Sequence, residues 1–157
     1  MSYPIFLALH NLNRWLVLAF GAWALYRLAR GWRGNRAWSA ADRRSMRWFA
    51  LIFSVQFVLG AILYLLPGAL VSSVLDRSSM HVIMRDRVLR FFTLEHPLQM
   101  TIAIGLSHTG NAIVRRLTSD RRRFKVGTIL MVVVLLLILI AIPWPFLSQG
   151  RPLLRLP

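Results

Sequence analysis

GTILMVVVLLLILIAIPWPF, residues 127 to 146, carries no charged side chain and closes on two prolines around Trp144. About 20 helical residues cross the roughly 30 Å hydrocarbon layer of a bilayer, so a run of this kind reads as a membrane span. Three further apolar stretches precede it, and the expected spans cover about residues 5–27, 47–66, 89–114 and 125–146. A chain of 157 residues that is 57% hydrophobic and 16% charged has more apolar surface than a soluble domain of its size could bury. The fold expected is therefore all-α, an integral-membrane four-helix bundle forming one transmembrane domain over residues 1–157, with the lipid bilayer as its solvent.

The net charge of +15 would point to nucleic acid in a soluble protein. Here the basic residues sit between the spans. The connection from Arg27 to Arg47 holds seven arginines and that from Arg115 to Lys125 five arginines and a lysine, against six basic residues after Pro67 and in the C-terminal tail. By the positive-inside rule both termini are expected outside and the two basic loops in the cytoplasm, with no nucleic-acid partner. The absence of cysteine excludes a disulfide framework, a thiolate-bound iron–sulfur cluster and a c-type haem. The N-terminus, MSYPIFLALH, lacks a basic leader and a small-residue cleavage site, so it reads as the first span rather than a removable signal. No phosphate loop, dinucleotide fingerprint, zinc motif or nucleophile elbow occurs.

Punctuation along the chain is legible. Pro4 suits a first helical turn with Ser2 as a cap; Gly31, Gly34 and Asn35 are expected to break helix, Ser39 and Asp42 to cap the next one, and Pro67–Gly68 to stop it. Residues 69–88 alternate apolar and charged positions, which fits a short interfacial helix or a loop. Pro97 predicts a kink or a first turn in the third span. The last span, uniformly apolar, is expected to face lipid and to stop at Trp144.

His10 and His96 are the candidate site. His10 lies seventeen residues from Arg27 and His96 nineteen from Arg115, a mismatch in depth of about 3 Å at 1.5 Å per residue, so two imidazoles from helices of like direction reach one level. Asn13 and Arg14 share the His10 face, with Gly21 further along it; Arg14 is suited to a haem propionate or a quinone carbonyl. Gln56, Gly60 and Tyr64 form a stripe at intervals of four, which brings the Tyr64 hydroxyl near the histidine layer. Glu95, the sole glutamate, is either an acceptor for an imidazole N–H or part of a proton path, or else an interfacial partner of Arg90. His108, twelve residues after His96, is turned about 120° from it, so a second bis-histidine site is not expected; it reads as a helix contact, a proton-handling group or a metal ligand. Met80, His81 and Met84 have the softness for Cu(I), though surface packing explains the same residues.

The segments LHNLNRW (9–15), VQFVLGAILY (55–64), RFFTLEHPLQM (90–100), LSHTG (106–110) and AIPWPF (141–146) together resemble a family of small bacterial four-span membrane proteins labelled cytochrome b-like. The likeness covers nearly the whole chain and departs at Val55, where relatives place a polar residue or histidine. It implies a multi-pass protein of the bacterial inner membrane with haem b as cofactor and His10, His96 and His108 on the family's histidine positions. Two function classes follow from the residues: an electron-transfer subunit that exchanges electrons with quinone and a redox partner, with Arg14, Tyr64, Glu95 and Gln56 around the cofactor, or a cofactor-free accessory subunit of a larger respiratory or photosynthetic complex. A stand-alone enzyme is less expected than either. A quinone or metal site built on His108 and Gln56 is a third reading.

Overall fold

The computed structural model describes residues 2–67 and 69–154; the Ser2 side chain and Gly68, to which a cap and a stop signal were assigned above, lie outside what it describes. Among the described residues the chain is all-helical: α1 (Ser2–Arg33), α2 (Ala40–Leu65), α3 (Leu70–Arg77), α4 (Met80–Arg85), α5 (Arg87–Arg90), a π-helical turn (Phe91–Glu95), α6 (His96–Arg116) and α7 (Asp120–Ala141). Three of these, α1, α2 and α7, are long and apolar enough to cross a membrane. The fourth long helix, α6, falls short of that apolarity because Gln99, Ser107, His108, Thr109 and Asn111 interrupt it. It nonetheless completes the bundle, packing on α2 and α7, while α1 packs on α2 and α7. Neighbours are thus α1–α2–α6–α7 in a ring, with α1 and α6 on a diagonal.

Lipid tails are as apolar as leucine, so close packing rather than hydrophobic expulsion holds such helices together. The interior is filled by Val17, Leu28, Phe49, Phe53, Val114, Phe124 and Val134, all 2% exposed or less. At Gly21 a Cβ would lie 2.6 Å from Leu135 Cδ2, and at Gly31 it would land in the Phe124 ring, so the two glycines on α1 let α7 approach. Gly21 therefore serves the close approach of a helix. The expectation that the last span faces lipid holds for one face only, with Ile129, Val133, Leu136 and Ile140 exposed: α7 is the most buried of the three apolar helices, with Phe124, Thr128, Met131, Val134, Leu135, Ile138 and Ala141 turned inward. A stripe at intervals of three and four is invisible where the lipid face is equally apolar.

Other boundaries shift for local reasons. The first helix runs through Gly31 to Arg33, and the break falls at Asn35, the one non-glycine residue with positive φ among those described (51°). Ser39 and Asp42 form a full capping box at the start of α2. Residues 70–90 form three short helices instead of one helix or a loop. The last span ends at Ala141, before Pro143, rather than at residue 146.

Candidate functional site

Prolines build this site by what they lack. An α-helical carbonyl bonds the N–H four residues on, and proline has none. Pro97 leaves the Thr93 carbonyl free, the backbone widens into the π turn at 91–95, and Tyr64 Oη donates to that carbonyl at 3.1 Å. Pro143 leaves the Leu139 carbonyl free, and Trp144 Nε1 donates to it at 2.9 Å. Pro145 cannot serve the Ala141 carbonyl, and His96 Nδ1 approaches that oxygen at 2.8 Å. A carbonyl only accepts, so His96 carries its proton on Nδ1 and leaves Nε2 as a lone pair.

Across the diagonal, the His10 ring lies 6.4 Å from the His96 ring, centroid to centroid, with the planes 72° apart. A hub on α2 fixes His10. Asn13 Nδ2 donates to Gln56 Oε1 at 3.0 Å and to the Ile52 carbonyl at 3.1 Å, which sets the orientation of the Gln56 amide. Gln56 Nε2 then donates to the His10 carbonyl at 3.0 Å and meets His10 Nε2 at 3.2 Å. His10 Nε2 is therefore an acceptor, its proton sits on Nδ1, and Nδ1 is buried with no partner in the chain. Gly60 faces this ring, where a Cβ would stand 3.2 Å from His10 Cε1.

The other candidate residues frame the pair at greater distance. Arg14 is buried, and its Nη2 donates to the Leu153 carbonyl at 2.6 Å beside Trp15 Nε1 on the same oxygen at 3.2 Å. The C-terminal segment thus folds back over α1, and Arg151 stacks on Phe92, 5.0 Å from its ring centre. Glu95 pairs with Arg90, whose Nε donates to Glu95 Oε1 at 2.7 Å, and the carboxylate does not bond an imidazole. Phe91, buried in the π turn, lies 5.8 Å from the His96 ring.

His108 stands apart, twelve residues or about 18 Å along α6 from His96. Ser54 Oγ donates to the Ala50 carbonyl at 2.8 Å, so in its 3.0 Å contact with His108 Nε2 the hydroxyl accepts. Gln56 faces His10 instead, so the structure does not bring His108 and Gln56 together. Met80, His81 and Met84 are exposed on α4. Among the described residues no three histidine, cysteine or carboxylate side chains cluster as metal ligands.

As a donor set, the His10–His96 pair has the separation that one metal between two rings would need. Two metal–nitrogen bonds of about 2 Å each plus the half-width of each ring give a separation close to the 6.4 Å found. His96 has the tether common to metal-bound histidines, a ring N–H on a backbone carbonyl with the other nitrogen open. His10 as it stands presents no open lone pair, because Nδ1 carries the proton and Nε2 is engaged by Gln56. Ligation through Nε2 requires the ring to exchange the Gln56 amide for the metal.

Sequence reasoning missed Thr93, Ala141 and Leu153, which act through backbone carbonyls. Counting back four residues from Pro97 and Pro145 would have found the first two. No family model, curated protein or solved structure matches this chain.

Proposed function

We propose that the chain is a four-span protein of the bacterial inner membrane, with both termini outside and the arginine-rich connections in the cytoplasm, and that it serves as a b-type electron-transfer subunit. The observation that carries this reading is the meeting of the His10 and His96 rings across the bundle at 6.4 Å. When bound, haem b would supply a one-electron carrier on two neutral imidazoles. His96, tied to the Ala141 carbonyl, and His10, once Gln56 releases it, are the residues that would hold the group. Arg14 keeps guanidinium donors beyond the one spent on Leu153 and can meet a carboxylate, such as a propionate, or a quinone carbonyl. The reading is tested on the full chain purified in detergent. Reduced-minus-oxidised spectra are expected to show Soret and alpha bands that His10→Ala and His96→Ala each abolish; wild-type protein without pigment after expression with ample haem sinks it.

A second reading has its own observation. The Asn13–Gln56–His10 chain of hydrogen bonds already engages His10 Nε2 through a side-chain amide and leaves only Nδ1 without a partner, an arrangement that suits an accessory subunit packing into a larger membrane complex. Gln56→Leu separates the two. A haem protein keeps or strengthens its pigment because His10 is freed; an accessory subunit shows no pigment and only loses stability.

A further inference from the structure

At the end of the bundle remote from His10, α2 and α6 part around a cavity of about 250 Å³. Arg43 and Arg47 from the first turns of α2 and Arg115 from the last turn of α6 line it, Trp38 forms one wall, and Ser54 with His108 stand at its floor. The floor lies seven residues from Arg115, about 10 Å below the arginines. Carboxylates of the chain are committed elsewhere. Asp42 pairs with Arg27 and Arg36, Asp120 with Arg123, and Glu95 with Arg90, while Asp76 and Asp86 lie between α2 and α6 in sequence, beyond the other end of the bundle. Among the described residues none of Arg43, Arg47 and Arg115 has an acidic partner.

Below the arginines the cleft opens onto an apolar track. Leu51 lines the cavity and is 54% exposed, and Val55 and Val58 continue its face of α2 at intervals of four and three, both also exposed. A ligand that satisfies all of this is anionic at one end, carries oxygen acceptors for guanidinium forks, and continues as hydrocarbon. We propose that this cleft binds one anionic phospholipid of the surrounding membrane, with the phosphate held by Arg43, Arg47 and Arg115 and an acyl chain running along Leu51, Val55 and Val58. The assignment is independent of any cofactor at His10 and His96. A free phosphate would meet the arginines and leave the apolar track unused.

The experiment uses the full chain in detergent, delipidated and then titrated with phosphatidylglycerol, phosphatidylcholine or inorganic phosphate, read by native mass spectrometry and thermal unfolding. One phosphatidylglycerol is expected to stay bound and raise the unfolding temperature, with phosphatidylcholine retained at least tenfold less and phosphate without effect. Triple replacement R43Q, R47Q and R115Q is expected to lower retention at least tenfold, whereas R121Q with R122Q on α7, which removes charge away from the cleft, leaves it unchanged. Leu51→Trp narrows the cleft with every charge kept and is expected to displace the lipid too, which guards against a triple variant that fails to fold. Equal stabilisation by inorganic phosphate, equal retention of phosphatidylcholine, or undiminished binding in Leu51→Trp would overturn the proposal.

Discussion

At the arginine end of the bundle the buried hub is a full charge, and at the histidine end it is an amide. Asp42, wholly buried, accepts from Arg27 Nη2 at 2.7 Å, Arg36 Nη2 at 3.2 Å, the Ser39 N–H at 3.0 Å and Ser39 Oγ at 2.6 Å. Gln56, also buried, joins Asn13 to the ring and carbonyl of His10 without any charge. The difference teaches what each end is built to withstand. A carboxylate among guanidiniums locks one arrangement, because removing it leaves cations with nothing to neutralise them. An amide among neutral groups can let go of one partner at modest cost, which is the property the proposed ligation by His10 needs.

The largest effect should therefore come from Asp42→Ala. It removes the capping box and both ion pairs together and is expected to cost about 3 kcal/mol, read as reduced unfolding free energy in detergent micelles. Gln56→Leu should cost less, about 1 kcal/mol, since it orphans only neutral groups. A Gln56→Leu cost equal to that of Asp42→Ala would erase the contrast between the ends. Smallest is Tyr64→Phe, expected to cost about 0.6 kcal/mol, near the mean for a hydrogen bond between membrane helices. In a Pro97→Ala background, where residue 97 regains an N–H able to serve Thr93, that cost should fall toward zero in a double-mutant cycle. An undiminished cost would show that the proline does not create the acceptor.

The two ends also differ in how far the sequence exposes them. Ser39 and Asp42 announce a cap by residue type and spacing, and the structure builds it. Matching His10 and His96 by their distance from the basic anchors worked because rise per residue is constant along helices that start from a common plane. Tyr64 reached the histidine layer by the same count, but Gln56 did not: nine residues from Arg47 leave it level with His108, and it meets His10 because Arg27 pairs with Asp42, five residues before Arg47. What stayed hidden depends on tertiary placement. Nothing local states that the Ala141 carbonyl of α7 will meet a ring of α6, or that residues 151–153 will fold back on Arg14 and Phe92. The inward stripe of α7 is masked by a composition that leaves polarity no contrast. The membrane-span count was blurred for the opposite reason, since the polar residues that give α6 its contacts also lower its apolarity.

The π turn at Phe91–Glu95 has a consequence for chain length. Its wider loop accommodates one residue more than an α-turn would, and each residue added to a helix rotates everything on one side of it by about 100°. Deleting a single position between 91 and 94 would restore ordinary winding without that swing, because the turn already absorbs the extra residue, so Arg90 and the short helices before it keep their place around the axis relative to His96. Gene variants one codon shorter there would keep their imidazole in place and stand Glu95 four positions from Arg90, a helical spacing that preserves the tether.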